Sequence, residues 1–242
     1  MSVIWYLGGK IRLSKHIVPI IESYIKDEET LFIDMFCGGC NIIDKIQKTN
    51  NKIANDNHKF LIEMWLKLID GWKPNNLVFN KDFYNHVKNN QEKLPSYLVG
   101  LVGFHYSYGG KWWGGFAKSR YEDHIERSIK KTLTQSRNMS NVKFTCLDYK
   151  KYSHIINAVI YCDPPYKNTT QRSTRYNSNF EHEEFWEWCS FMSRNNIVLV
   201  SECELPENID VEILWEKEHN SNMSYKKETK SSEKLFLIKN RT

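Results

Sequence analysis

No stretch of this 242-residue chain approaches the roughly 18 consecutive apolar residues of a membrane-spanning helix. Residues Met1 to Lys10 lack the charged start and apolar run of a secretory signal. No membrane association is expected, and a reducing cytoplasm is the expected setting. Six cysteines occur, at positions 37, 40, 146, 162, 189 and 203, but only Cys37 and Cys40 have the spacing of a metal or redox pair. No second pair follows to complete a zinc site, and the eight histidines form no H-E-x-x-H, so no metal is expected. Neither G-x-S-x-G nor a Cys–His arrangement supports a covalent nucleophile. The phosphate-cradling G-x-x-x-x-G-K-[ST] is missing, because Gly8-Gly9-Lys10 lacks both the earlier glycine and the following hydroxyl residue. The dinucleotide fingerprint G-x-G-x-x-G is missing too, which argues against a dehydrogenase. No repeat or low-complexity tract stands out.

What is present is ordinary globular composition, 40% hydrophobic and 26% charged, in a chain long enough for one large domain or one domain plus an insert. The formal net charge of +5 is unevenly placed. The window from Lys111 to Lys151 holds ten basic and four acidic residues, Lys111, Lys118 and Arg120 among the former, so it carries +6 and the remainder sums to −1. A basic block of this kind fits either a polyanion partner or a solvated face.

Short apolar runs read as strands at Leu31–Phe36, Lys52–Asn55, Ala158–Cys162 and Ile197–Ser201. Several are apolar throughout, as in parallel sheets covered on both faces. Helical patterns fall between them, at Leu13–Tyr24, Lys59–Ile69 and Glu183–Met192, with a further helix expected after an Asn41 N-cap. The alternation predicts a doubly wound α/β sheet. Val211–Trp215 and Lys234–Lys239 predict a closing antiparallel hairpin around a long polar loop, residues 217–232. Residues 71–140 interrupt the pattern with aromatic, Gly-rich and helical sequence, and predict a mostly helical inserted domain within a sheet domain of residues 1–70 and 141–242.

Three constellations carry chemistry. The first strand runs into Cys37-Gly38-Gly39-Cys40, a turn whose glycines let backbone approach a ligand, and Asp56 closes the next strand 18 residues after Gly38. That offset is near the one at which an acid meets ribose hydroxyls, so a nucleoside-type cofactor is expected, against a bland reading in which Asp56 caps the following helix. Asp34, just before the turn, would repel phosphate but accept from an ammonium, which suits a cofactor with an amino-acid tail. The second constellation, Asp163-Pro164-Pro165-Tyr166, follows a buried strand at the carboxyl edge of the sheet, where open α/β folds bind ligands. Its carboxylate and a proline carbonyl form an acceptor pair for an exocyclic amino group, and Tyr166 offers a stacking face. The third, Trp5 to Lys10 (WYLGGK), places a lysine beside glycines and is weak alone.

Together WYLGGK, FIDMFCGG, ANDN and DPPY, in this order, resemble the Dam-type family of adenine-specific DNA methyltransferases. The resemblance extends over nearly the whole chain, through FEHEEFWEW, IVLVSE and SSEKLFLI. It implies a Rossmann-like methyltransferase sheet, S-adenosylmethionine as methyl donor and double-stranded DNA as partner, bound through an inserted target-recognition domain. Within it, Tyr6, Gly8 and Lys10 would line the cofactor's methionine end, Asp34, Phe36, Gly38 and Gly39 would form the cofactor loop, and Asp56 would hold the ribose. Asp163 would accept from the target amino group, Pro164 would supply a carbonyl, and Tyr166 would stack on the flipped base. Cys40, where many relatives carry a small residue, departs from the pattern. A restriction–modification setting and a monomer able to pair on DNA complete the expectation.

The chemistry agrees with this picture. Methyl transfer from a sulfonium to an amino nitrogen needs in-line placement and acceptors for the amino protons. The base must leave the duplex stack, at a cost of a few kcal/mol. Lys111, Lys118 and Arg120, interleaved with Tyr97, Phe104, Tyr106, Tyr108, Trp112, Trp113, Phe116 and Tyr121, and then Arg172 and Arg175, are candidate DNA contacts. Most of the aromatics are expected to be insert core. An amino methyltransferase acting on cytosine or RNA, and a catalytically silent nucleic-acid-binding relative, stay open as alternatives.

Overall fold

A computed structural model describes residues 9–75, 77–117, 123–166, 180–204, 206, 208–220 and 230–240. Seven strands form one sheet: β1 Leu31–Asp34, β2 Lys52–Asn55, β3 Val142–Thr145, β4 Ala158–Cys162, β5 Ile197–Glu202, β6 Val211–Asn220 and β7 Lys230–Ile238. Their order is β3-β2-β1-β4-β5-β7-β6. The first five are parallel, and β7 is antiparallel to both β5 and β6. This is a doubly wound Rossmann-like sheet whose last hairpin folds back so that β7 lies inside β6. The chain runs outward from β1 through β2 to β3, then restarts at β4 on the other side of β1. The β1/β4 pair is therefore the switch point at which such sheets open a crevice.

The strands' continuous apolar character divides by alternation into two cores. On one face Phe32, Val159, Tyr161, Leu199 and Leu235 pack with residues of α1 (Ser14–Tyr24) and α2 (Lys59–Ile69). On the other, Ile33, Ala158, Ile160, Cys162, Val198 and Val200 pack with Phe185, Trp188, Cys189 and Met192 of a later helix, His182–Met192. Burial on both faces is why every residue of β4 is buried. Helix α2 starts in a neutral imidazole. Burial pushes the His58 pKa down to about 3, and its Nδ1 accepts from the Leu61 amide at 3.3 Å.

Three helices occupy the span read as an insert: α3 Lys81–Asn89, α4 Ser96–His105 and α5 Asp123–Ser136, which makes α6 the His182–Met192 helix. They share the core of α1 and α2: Tyr84, Val87, Val99, Leu101, Val102, Ile125 and Ile129 all belong to it. Residues Val99 to His105 of α4 are buried without exception, as expected of a helix enclosed by neighbours. Gly100 permits that enclosure, because a Cβ there would collide with the Phe60 carbonyl of α2. Helix α5 is amphipathic. Ile125, Ser128, Ile129, Thr132 and Gln135 point inward, while Arg127, Lys130 and Lys131 are exposed.

Two local expectations fail and one strand goes unread. No α-helix follows Asn41; the chain makes only a 3-10 turn over Ile43–Lys45 before bending toward β2. Ile42, Ile43 and Ile46 are buried, so their spacing reports packing rather than helix. Strand β3 is missed by its sequence, since VKFT alternates only partly and pairs solely with β2. The hairpin strands run on into the stretch read as loop, to Asn220 and from Lys230. Their polar residues belong to an edge pair, which needs no apolar period. Among the described residues no helix is long and apolar enough to cross a membrane.

Replacing Gly100 by alanine should lower stability by about 1–3 kcal/mol through forced separation of α2 and α4. Urea denaturation compared with the native chain measures it.

Candidate active site

The glycine turn after β1 is held from three directions. Gly38 and Cys40 both adopt left-handed backbone, with φ of 46° and 54°. Such a conformation is natural for glycine and uncommon for cysteine. The Gly38 amide donates to Asp56 Oδ2 at 3.1 Å, and its carbonyl accepts from Trp65 Nε1 at 3.1 Å. Gln135 of α5 donates through Nε2 to the carbonyls of Gly39 and Cys40, each at 3.0 Å. The Asp56 carboxylate also accepts from the His58 amide at 2.9 Å, so it ties the turn to the start of α2. Asp56 therefore braces the helix entry, as the bland reading expected, and also fixes the glycine loop. Phe36, which leads into the turn, is half-buried and packs against Tyr149, Phe180 and Phe185.

Asp34 and Asp163 lie at the carboxyl ends of β1 and β4, on either side of the switch point. Asp34 is buried, and its Oδ1 has no hydrogen-bond partner among the described residues. Burial, reinforced by the charges of Asp163, Asp56 and Asp44, pushes its pKa well above the usual carboxylate range. Asp163 follows β4 directly. Burial raises its pKa to about 6 against the opposing pull of Lys10, with Glu233 adding to the rise. Lys10, brought in by the turn that opens α1, places Nζ 2.6 Å from Asp163 Oδ1 and 3.1 Å from Glu233 Oε1. Burial alone would depress the Lys10 pKa, but the two carboxylates outweigh it and raise the value. Tyr166 donates its hydroxyl to Glu233 Oε1 at 2.9 Å, and Lys10 Nζ sits 4.7 Å from its ring centroid. Burial and the neighbouring carboxylates keep the Tyr166 phenol protonated.

Two site residues escaped sequence reasoning. Glu233 comes from β7, far along the chain; it lies in the SSEKLFLI run, to which sequence alone attaches no chemical role. Glu202 ends β5, is 4% exposed, and burial raises its pKa to about 7 with help from Asp163. The signal for Glu202 was its place, a lone acid at the carboxyl end of the apolar run IVLVS.

Of the expected site residues, Lys10, Asp34, Gly38, Gly39, Asp56, Asp163, Pro164 and Tyr166 are thus gathered at one edge of the sheet. Tyr6, Gly8, Lys118, Arg120, Arg172 and Arg175 lie outside the described residues, and so does Tyr121. Lys111 is described and half-buried, on the loop between α4 and α5. The insert aromatics Phe104, Tyr106, Trp112, Trp113 and Phe116 pack into the core, while Tyr108 is 76% exposed. Among the described residues no three His, Cys, Asp or Glu side chains are grouped to hold a metal ion.

The edge is rich in carboxylates, with Lys10 as the ammonium among them. Such a basin disfavours phosphate and favours a cationic ligand. S-adenosylmethionine carries a sulfonium and an ammonium, and the partnerless Asp34 oxygen is an acceptor fit for the latter. The residues present therefore fit this cofactor's charge.

Comparison with known proteins gives a consistent picture. The chain matches the family described as D12 class N6 adenine-specific DNA methyltransferase over residues 6–99 and 106–232. It is 25% identical over 203 residues to the type II methyltransferase M.FokI of Planomicrobium okeanokoites, covering 73% of this chain and 30% of that one. It is 25% identical over 193 residues to the modification methylase StsI of Streptococcus sanguinis, covering 68% and 28%. The chain thus spans under a third of the length of these relatives. Among solved structures, the putative methylase HI0767 from Haemophilus influenzae aligns over 94% of this chain and 88% of that one, at 10% identity and a TM-score of 0.37. Superposition that loose adds nothing to the strand order already described.

The Glu202 carboxyl binds its proton more tightly folded than unfolded, where its ordinary value is 4.5. Its contribution to stability is therefore full below about pH 4.5 and is lost as pH rises through about 7. Glu202→Gln, which keeps an acceptor for the Cys203 amide, should be more stable than the native chain at pH 8, by about 1–3 kcal/mol, and equal to it near pH 4. Denaturation curves at pH 4, 6 and 8 measure the difference.

Proposed function

The chain belongs to the D12 class of N6 adenine-specific DNA methyltransferases, and from that premise we propose that it moves a methyl group from S-adenosylmethionine to the exocyclic amino group of an adenine flipped out of duplex DNA. The observation that carries this reading is the position of Asp163-Pro164-Pro165-Tyr166 at the end of β4, across the switch point from the partnerless acceptor of Asp34. The cofactor, when bound, supplies an electrophilic methyl carbon on a sulfonium. Asp34 would hold its ammonium, Asp56 its ribose, and the Gly38-Gly39 turn would allow the close approach.

The protein's own part is to make a poor nucleophile available. An amino group conjugated to a purine ring has its lone pair delocalised. Acceptance of its two protons by the Asp163 carboxylate and the Pro164 carbonyl favours a tetrahedral nitrogen and stabilises positive charge as it develops. Asp163 need not remove a proton before attack, since the nitrogen becomes acidic only once alkylated. Partial burial limits the water around these acceptors and so strengthens their pull. Tyr166 would stack on the extruded base. Residues 71–140 form the DNA target-recognition part in this reading. The exposed Arg127, Lys130 and Lys131 of α5 are supporting features, together with Lys111, Lys118, Arg120, Arg172 and Arg175 as phosphate contacts.

DNA from a methylase-free host expressing this chain should carry N6-methyladenine at one recurring sequence, detected by modification-sensitive sequencing. Methylcytosine without methyladenine would overturn the substrate. Asp163→Ala should lower the methylation rate by about a hundredfold or more while DNA binding is retained, which also separates the enzyme from a silent binding relative. Lys111→Ala should reduce the slope of log affinity against log salt by about 0.9, the value for one lost phosphate contact, measured by titration at four salt concentrations.

A further inference from the structure

Lys10 stands in the place that the proposed reaction gives to the target base. Its ammonium is bonded to Asp163 Oδ1 at 2.6 Å and lies against the Tyr166 ring at 4.7 Å from the centroid. These are the carboxylate assigned to the amino group and the aromatic face assigned to the base. A charge-assisted bond to a largely enclosed carboxylate, its side chain 18% exposed, backed by an aryl face, is a stronger hold than a neutral amino group can offer in competition. For a base to enter, Lys10 must give up Asp163. It is 4% exposed and cannot simply turn to water.

Glu233 is the acceptor within reach. It already lies 3.1 Å from Lys10 Nζ, and its side chain is 13% exposed. Two things hold it there. Strand β7 is paired on both sides, with Glu233 opposite Lys217 of β6 and the next residue, Lys234, opposite Glu202 of β5. The Tyr166 hydroxyl donates to the same Glu233 oxygen at 2.9 Å. We propose that Lys10 fills the base pocket of the substrate-free protein as a stand-in for the target amino group, and that Glu233 receives the ammonium when the base arrives. Glu233 is then a positioning residue, acting through Lys10. The exchange makes and breaks only hydrogen bonds, and the lysine stays paired with a carboxylate throughout, which avoids stranding a buried charge. With two carboxylates facing one lysine, one carboxylate is always left over for the substrate. This inference rests on the role proposed for Asp163.

The test uses duplex DNA bearing the site found by sequencing. Glu233→Gln keeps an acceptor for the Tyr166 hydroxyl but removes the charge that would draw Lys10 away. Its KM for DNA should rise about tenfold, with kcat changed less than about threefold. In a Lys10→Met background the same substitution should move KM by less than about twofold, because no ammonium is left to receive. Fluorescence anisotropy replaces KM with Kd wherever turnover is too slow. An effect under about twofold in the native background, or an equal effect in both backgrounds, overturns the proposal. A crystal structure with site DNA gives a check that needs no variant. Lys10 Nζ should be bonded to Glu233 and away from Asp163, and a lysine still on Asp163 beside the flipped base overturns the exchange. If Asp163→Ala methylates at the native rate, the functional reading itself fails. If that variant is inactive while Glu233→Gln behaves as the native chain, only the lysine exchange fails.

Discussion

Carboxylates gathered in a buried strand-end basin are the constraint around which the rest of this protein is arranged. Asp34, Asp163, Glu202 and Glu233 converge where water is largely excluded, and burial raises the pKa of the first three. Lys10 offsets part of that effect at Asp163, and it is itself kept charged by Asp163 and Glu233. Among the described residues no cation pairs with Asp34, and although the Ile43 amide opposes the shift, its pKa stays well above the ordinary range. A group of this kind is costly in a resting fold. A cationic ligand that removes the cost would stabilise the protein as it binds.

The sheet makes the basin affordable by being well buried elsewhere. Alternate residues of β4 feed two separate apolar cores, so the strand ends are anchored from both faces. The side chains just beyond the last hydrogen-bonded pair inherit that rigidity. Tyr161, one pleat before Asp163, is itself fully buried and bonded to Ser201 at 2.8 Å. The polar cluster therefore rests on a stiff platform, which suits chemistry dependent on placement rather than on motion.

Strands and helices with strong periodicity were legible before any coordinates. Lys52–Asn55, Ala158–Cys162 and Lys59–Ile69 appear with the boundaries read from sequence. The acids were legible too, Asp56 and Asp163 as the residues following a strand and Asp34 as an acid inside the first apolar run. Glu233 was not, since its meaning comes from an antiparallel pairing that brings a distant polar segment beside β5. The supposed helix after Asn41 failed for a related reason. Isoleucines at helical spacing also arise in an irregular segment that is simply buried, and sequence period alone does not separate the two. Strand β3 is too short and too mixed to announce itself, and only its register with β2 defines it.

Gln135 has a consequence for any attempt to re-engineer the molecule. Its amide grips two carbonyls of the glycine turn from the inner side of α5, the helix whose outer side carries Arg127, Lys130 and Lys131. The stretch from Gly71 to Ser140 is consequently no detachable cassette. A graft that exchanged it for a foreign segment would also withdraw a strut from beneath Gly39 and Cys40. A chimera would need that one glutamine carried over with its helix, or the bend would lose its footing.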